Sequence, residues 1–162
     1  MRIPFLPARH AAQRYPFLRS SSIFSSPRRA LVTLAIETSC DDTSVAILEK
    51  KDAKTVQPGQ PSAVLHFHKK ITSDNTTYHG VHPLVSLESH QGALAGLINE
   101  AVQYLPSITG GNESKQEWVL RRPDFISVTR GPGMRSNLST GLDTAKGLAV
   151  AWQVYMAFSM ST

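Results

Sequence analysis

The sequence predicts an α/β fold with a mixed sheet and two long helices, and three observations carry that prediction. Short aliphatic and β-branched runs between residues 31 and 71 have the composition of strands. Residues 83–105 and 137–152 carry apolar side chains at steps of three and four, which is the period of a helix. A short apolar run follows each helix, and strands that feed helices returning to the sheet imply some parallel pairing. The length of 162 residues suits one domain or one half of a larger two-lobed fold.

The first three strands are predicted to form a meander. Leu31 to Glu37 has the pattern of a buried strand, and Thr38 to Thr43 that of a tight polar turn. Ser44 to Leu48 is predicted to pair back on the first strand. A hydrophilic loop from Glu49 to Pro61 then precedes a third strand, Ala63 to Ile71.

The first helix is predicted from Pro83 to Leu105, because proline suits the first helical position. Its predicted buried stripe consists of Leu84, Leu87, Gln91, Leu94, Ile98, Ala101 and Leu105. Gly92 and Gly96 lie four residues apart in this helix, a spacing that favours the close approach of a neighbouring element.

The second half of the chain repeats the order of strand and helix. A loop from Pro106 to Arg122 leads to a short strand, Asp124 to Thr129, and then to a Gly131-Pro132-Gly133 turn. The second helix is predicted from Asn137 to Trp152, with the stripe Leu138, Leu142, Ala145, Ala149 and Trp152. Val154 to Phe158 is predicted to begin a further strand.

Charge is distributed unevenly along the chain. Residues 1–36 hold six arginines and no acid, so the formal charge of +5 belongs to this leader, while the rest carries 11 basic and 12 acidic residues. A leader rich in arginine and serine is typical of an organellar import presequence, and a disordered basic tail is the alternative. The high charge therefore gives no evidence of a nucleic-acid surface on the folded part. The longest nearly apolar run, residues 148–158, is too short to cross a bilayer, so no membrane partner is expected.

The polar turn after the first strand holds the most chemistry in the chain. Such a turn can offer backbone N–H groups and hydroxyls to phosphate oxygens. Asp41 and Asp42 would repel bare phosphate, so a cation or an ordered water should lie between them. The alternative is an Asx-type turn whose polar side chains satisfy their own backbone, and composition leaves both interpretations open.

Three segments together resemble one known family. Residues 36–43, which run from Ile36 to Thr43, resemble the opening motif of the catalytic subunit of tRNA threonylcarbamoyladenosine synthases, formerly called O-sialoglycoprotein endopeptidases or glycoproteases. Residues 80–90 and 128–154 resemble two later motifs of the same family in the same order. With the arginine-rich leader, the resemblance indicates the mitochondrial branch and an amino-terminal fragment of such an enzyme.

The resemblance implies the first lobe of an actin-like, sugar-kinase-like ATPase fold. Enzymes of this family transfer a threonylcarbamoyl group from its adenylate to the exocyclic amine of an adenosine beside the tRNA anticodon. By resemblance, Asp41 and Asp42 are catalytic and orient water or metal near the adenylate. The implied phosphate-side residues are Thr38, Ser39, Gly131 and Gly133. The implied ligands of the full-length enzyme are threonylcarbamoyl-adenylate or ATP, a divalent metal ion and tRNA.

The chain departs from the family pattern near its end. In the relatives a His-x-x-x-His metal pair and a second lobe follow, whereas no histidine follows His90 here. We therefore expect a disordered presequence at 1–30, the amino-terminal lobe at 31–154 and a divergent, truncated tail at 155–162. We also expect no metal site in this chain and weak or no catalysis by the chain alone.

A non-catalytic interaction or dimerisation module is the alternative function. Helices 83–105 and 137–152 both carry small residues four apart, a feature that suits pairing across a homodimer. The remaining candidate residues are assigned plain roles. His66 and His68, expected on one face of a strand, are interpreted with His79 and His82 as surface histidines rather than metal ligands. His90 is predicted to form an interhelical hydrogen bond, and Cys40 to be packed and inert.

Overall fold

Five strands and two long helices make up the fold in the computed structural model, which describes residues 30–106 and 122–160. The elements are β1 (Leu31–Glu37), β2 (Asp42–Lys50), β3 (Ala63–Thr72), α1 (Pro83–Ala101), β4 (Phe125–Gly131), α2 (Arg135–Trp152) and β5 (Tyr155–Met160). Two short 3₁₀ turns, Thr76–Tyr78 and Val102–Tyr104, flank α1. The predicted presequence and most of the loop at 106–122 lie outside the described residues.

The strands form one mixed sheet in the order β3-β2-β1-β4-β5. β2 pairs antiparallel with both β1 and β3, since short connections return the chain directly beside the previous strand. β4 pairs parallel with β1, and β5 parallel with β4, because α1 and α2 carry the chain back to the starting end of the sheet. Ile36 at the centre pairs with Val45 on one side and with Val128 on the other.

One hydrophobic cluster joins the sheet to the helices. Alternate residues of β1, namely Val32, Leu34 and Ile36, are almost fully buried, as the two-residue period of a strand requires. α1 contacts β2 and β3, α2 contacts β4, β1 and β5, and the helices contact each other. The core members are Val32, Leu34, Ile36, Val45, Ile47, Phe67, Leu94, Leu97, Ile98, Ala101, Ile126, Val128 and Ala145.

The predicted stripe of α1 is wrong in its first half. Leu84 is 64% exposed and Gln91 is also exposed, whereas Ser86 and His90 are fully buried. The reason is that the start of α1 lies against polar chain segments, where hydrogen bonds rather than apolar contacts select the buried side chains. The helix also ends at Ala101 rather than at Leu105 and continues as a 3₁₀ turn.

Several boundaries extend beyond their predicted positions. β2 begins at Asp42 rather than Ser44, because Asp42 pairs with Thr72 of β3. α2 begins at Arg135, two residues before the predicted start. β5 belongs to the sheet through Met160, so the sheet continues past residue 154, where the predicted lobe ended. Within the described ranges, neither helix is both long and apolar enough to cross a bilayer.

Candidate functional site

The polar turn between β1 and β2, here called the β1–β2 turn, comprises Thr38 to Asp41. Thr38 and Ser39 are buried, Asp41 is half-buried and Cys40 is exposed. The prediction of a packed Cys40 is therefore wrong, because the turn directs its side chain to solvent while its carbonyl group faces the protein.

Donors from both helical segments hold the backbone carbonyls of Ser39 and Cys40. The N–H of Met134, just before α2, donates to the Ser39 carbonyl oxygen at 2.9 Å. Asn137 Nδ2 donates to the Cys40 carbonyl oxygen at 2.6 Å, and His90 Nε2 lies 3.1 Å from the same oxygen. Both the N-terminal turn of α2 and the middle of α1 therefore fix the orientation of these peptide groups.

The carbonyl of Asp41, the last residue of the turn, is held by the residue that follows β3. The Ser73 N–H donates to the Asp41 carbonyl oxygen at 2.9 Å. Ser73 is in turn hydrogen-bonded by its hydroxyl to Ser86 of α1 and to Asn75, at 3.1 and 2.7 Å. Buried Ser73 and Ser86 thus anchor the turn to the first turn of α1 and explain why a serine replaces an apolar residue there.

The direction of the turn's N–H groups follows from these carbonyl contacts. In a trans peptide unit the C=O of one residue and the N–H of the next point in opposite directions. Because the carbonyls of Ser39 and Cys40 face Met134, Asn137 and His90, the N–H groups of Cys40 and Asp41 point away from those residues. Successive N–H groups that point the same way in a turn can form a concavity that binds an anion.

The Thr38 hydroxyl is used inside the protein. It donates to the Asn137 carbonyl oxygen at 2.8 Å, and Thr38 is only 1% exposed. The expectation that this hydroxyl faces phosphate is therefore replaced by a supporting role, in which the hydroxyl holds the turn to the start of α2. Ser39 is also 6% exposed, and its N–H donates to Glu37 Oε1 at 2.6 Å.

The Gly131-Pro132-Gly133 turn lies directly against the β1–β2 turn. A Cβ on Gly133 would come within 2.6 Å of the Ser39 carbonyl oxygen and 2.8 Å of Ser39 Cβ, so glycine is required there for this contact. Gly131 precedes Pro132 through a cis peptide bond and has open space around its Cα. The structure therefore brings Gly133 together with Ser39, as the two segments of one predicted site.

The two predicted catalytic carboxylates have different surroundings. Asp42 pairs with Lys70 Nζ at 2.8 Å and accepts a hydrogen bond from the Thr72 hydroxyl at 2.5 Å. Desolvation opposes ionisation of Asp42, but the hydrogen bonds from Lys70 and Thr72 outweigh it and hold the pKa of Asp42 below its ordinary value. Asp42 is thus tied to β3, whereas Asp41 stands in the turn itself.

The histidines fall into separate contacts. His66 Nε2 lies 2.7 Å from Glu49, and His68 Nε2 lies 3.1 Å from the Ser44 hydroxyl. His90 hydrogen-bonds the β1–β2 turn and Thr43 rather than another helix, so the interhelical prediction is wrong. Among residues 30–106 and 122–160, no three His, Cys, Asp or Glu side chains form a group able to hold a metal ion. The described residues therefore do not fit a metal site, and we derive no step through a metal.

Sequence reasoning missed Asn137 and Ser73 as parts of the site. The sequence predicts Asn137 only as the start of a helix, although a fully buried asparagine in a first turn requires polar partners. Its position shortly after a glycine-rich turn was the available signal. For Ser73 no signal existed, because its contact with the turn is made by a backbone N–H, which any residue except proline could supply.

A comparison with protein families identifies the chain. The model of the tRNA N6-adenosine threonylcarbamoyltransferase family matches residues 64–157. The chain belongs to this family. Membership, together with the observed mixed sheet and two long helices, confirms the predicted fold class, the first lobe of an actin-like ATPase fold.

Individual relatives agree with this family assignment. The chain is 38% identical over 125 residues to the mitochondrial tRNA N6-adenosine threonylcarbamoyltransferase of Schizosaccharomyces pombe. This alignment covers 77% of the chain and 27% of the relative. It is 35% identical over 123 residues to the tRNA N6-adenosine threonylcarbamoyltransferase of Nitratiruptor. This alignment covers 75% of the chain and 30% of the relative. The chain thus spans less than a third of the length of these relatives.

Solved structures give weaker similarities. The alignment with YeaZ from Pseudomonas aeruginosa covers 80% of this chain and 44% of the YeaZ chain, at 19% identity and a TM-score of 0.47. The alignment with T. thermophilus RuvC, in complex with a Holliday junction substrate, covers 80% of this chain and 63% of the RuvC chain. The identity is 12% and the TM-score is also 0.47. Similarities of this size carry no argument about the fold or function of the chain.

Proposed function

We propose that the β1–β2 turn binds the phosphate of a nucleotide, in a protein that transfers a threonylcarbamoyl group to tRNA. The observation that carries this proposal is the fixing of three of the four turn carbonyls, those of Ser39, Cys40 and Asp41, by donors from α1, the start of α2 and the segment after β3. This arrangement directs the N–H groups of Cys40 and Asp41 outward before any ligand arrives. Preorganised donors of this kind stabilise developing negative charge without reorganisation.

The negative charge near the turn is lower than its two aspartates alone would indicate, which favours phosphate binding. Asp42 is paired with Lys70, so this pair contributes no net charge at neutral pH. Asp41 is the remaining acidic side chain of the turn, and it raises the pKa of Lys70 less than the direct contact with Asp42 does. We propose that Asp41 orients a water molecule beside the phosphate and that Asp42 positions the turn through β3.

In the proposed reaction, the exocyclic amine of a tRNA adenosine attacks the carbonyl carbon of threonylcarbamoyl-adenylate. A C–N bond forms, the C–O bond to the phosphate breaks, AMP leaves with the bonding electron pair, and the amine loses one proton. The outward N–H groups of Cys40 and Asp41 would stabilise the negative charge that develops on the leaving phosphate. Binding by this lobe alone supplies only one wall of the site, so we expect little or no turnover from the isolated chain.

The function is tested in cells from which the gene for this chain has been deleted. Mass spectrometry of nucleosides from purified mitochondrial tRNA is expected to show loss of threonylcarbamoyladenosine, and its return on re-expression of the complete gene, including any coding sequence beyond this chain. A gene carrying Asp41→Asn should restore less of the modified nucleoside than one carrying Asp52→Asn, a change in a separate exposed loop. An unchanged nucleoside level after deletion contradicts the proposal.

We also propose a mitochondrial location, supported by the composition of residues 1–29 and by the mitochondrial relative from Schizosaccharomyces pombe. A fluorescent fusion of the full chain should enter mitochondria. Changing Arg2, Arg9, Arg14 and Arg19 to glutamine should leave it outside, because import presequences depend on positive charge. Equal import of both fusions rejects the assignment of this leader.

The alternative of a dimerisation module retains only part of its basis. Gly141 and Ala145 of α2 face Thr38 and the core, so the small residues of α2 are used within the chain. Gly92 and Gly96 of α1 remain exposed. Light scattering of the chain with Gly96→Leu decides it: a dimer that this change disrupts supports the alternative, and a monomer unaffected by it rejects the alternative.

A further inference from the structure

We propose that His90 is a positioning residue for the phosphate-binding turn, acting through an imidazole that carries a proton on Nε2. In this role Nε2–H holds the Cys40 carbonyl inward and keeps the Asp41 N–H directed outward. The inference rests on the proposed function, because an outward N–H matters to activity only where an anion binds. It assigns a role to a buried titratable group that the proposed reaction leaves unused.

The tautomer follows from the two partners of the ring. Nε2 lies 3.1 Å from the Cys40 carbonyl oxygen, and a carbonyl oxygen can only accept a hydrogen bond. Nε2 therefore carries the proton. In the neutral ring Nδ1 is then an acceptor, and the Thr43 hydroxyl, 2.8 Å away, donates to it.

Burial indicates that these contacts are specific. His90 and Thr43 are both 0% exposed, so neither ring nitrogen nor the hydroxyl can exchange its partner for bulk water. A leucine would fill a similar volume in α1 without requiring two polar partners. The imidazole thus supplies a hydrogen bond to the turn that an apolar core residue could not supply.

A second donor makes the orientation of this peptide hard to reverse. Asn137 Nδ2 donates to the same Cys40 carbonyl oxygen from α2, at 2.6 Å. Rotating the Cys40–Asp41 peptide would break both hydrogen bonds and leave two buried donors without an acceptor. His90 and Asn137 therefore hold one carbonyl from two different helices.

The first test is a nitrogen-15 NMR measurement of the His90 ring in the full 162-residue chain. We expect Nε2 to show the shift of a protonated nitrogen. A ring protonated on Nδ1 alone overturns the inference. This measurement needs no variant and no ligand, so it is independent of whether the chain binds a nucleotide.

The second test compares variants in which the contact is lost, replaced or left untouched. His90→Leu removes both hydrogen bonds, His90→Gln retains an amide donor, and Leu97→Val lowers stability elsewhere in the buried face of α1. We expect the backbone amide resonance of Asp41 to move in His90→Leu, to stay near its original position in His90→Gln, and to stay unchanged in Leu97→Val. An unmoved Asp41 amide in a folded His90→Leu chain overturns the inference.

Binding of ATP separates the inference from the proposed function. Loss of one fixing hydrogen bond predicts a rise in Kd of about tenfold in His90→Leu, with partial rescue in His90→Gln. Leu97→Val should bind as the original chain does. If the original chain binds no ATP, the proposed function fails, while the tautomer and the Asp41 amide still decide the role of His90. Equal affinity in His90→Leu and the original chain contradicts the positioning role.

Discussion

The side-chain amide of Asn137, in the first turn of α2, donates a 2.6 Å hydrogen bond to the carbonyl oxygen of Cys40, 97 positions earlier in the chain. The carbonyl of Asn137 accepts a further bond from the Thr38 hydroxyl. Asn137 thus joins the start of α2 to both ends of the Thr38–Cys40 segment. Two motifs that are distant in sequence become one site through this residue.

Asn137→Ala should lower the free energy of unfolding by about 1–3 kcal/mol, because it removes a buried donor and leaves a small cavity. Urea denaturation of the full chain measures this change. Ser139→Ala, in the same helix at an exposed position, is the control and should change stability by less than about 0.5 kcal/mol. Equal losses in the two variants would show that Asn137 contributes nothing specific to the turn.

Gly141→Ala should also destabilise the fold, by about 1–3 kcal/mol. A Cβ at this position would lie 2.5 Å from the Thr38 Oγ1 and 3.4 Å from Ile36 Cγ2, so α2 or the turn must shift. Gly147→Ala in the same helix meets nothing within 4 Å and should stabilise the helix by up to about 1 kcal/mol. Thermal unfolding of both variants measures the difference, and effects of the same sign would contradict the close packing of Gly141 on Thr38.

The strands were predictable because each presents a continuous or alternating apolar run, and β1 agrees with its prediction at both ends. The buried face of α1 was not predictable in its first half. Periodicity ranks apolar side chains as buried, whereas Ser86 and His90 are buried by polar partners on distant segments. Such contacts depend on the tertiary fold, which the spacing of apolar residues does not encode.

The site was predictable in location and less so in detail. The hydroxyl side chains in segment 36–43 and the glycines in segment 131–133 indicated the two turns that the structure brings together. The inward direction of the Thr38 hydroxyl and the attachment of Asp42 to Lys70 depend on side-chain orientation. Orientation follows from strand register, which starts at Asp42 because of its pairing with Thr72.

Lys70→Met should raise the pKa of Asp42 towards its ordinary value of 3.8. Desolvation raises the pKa of Asp42, and the hydrogen bonds from Lys70 and Thr72 lower it. The variant loses the Lys70 hydrogen bond, which lowers this pKa more than the Thr72 hydrogen bond does. Carboxyl chemical shifts followed during a pH titration measure this pKa. Lys69→Met, which removes a contact with Glu100 instead, is the control and should leave the Asp42 pKa unchanged.

The same change alters how stability depends on pH. A carboxyl group with a pKa lowered in the folded state adds stability above its unfolded pKa, and this stability is lost as pH falls through the folded pKa. For Asp42 that window lies below pH about 4. Lys70→Met should therefore flatten the loss of stability on acidification in this window. An unaltered acid profile would contradict a lowered pKa of Asp42.

The central claim is that the backbone of the β1–β2 turn binds phosphate, and amide NMR of the full chain tests it most directly. Titration with ATP, and separately with pyrophosphate, should move the amide resonances of Cys40 and Asp41 most. The amide of Thr55, in a separate exposed turn closed by a hydrogen bond to Asp52, should not move. Unmoved Cys40 and Asp41 amides in a folded chain at saturating ATP, or equal movement at Thr55, would contradict the claim.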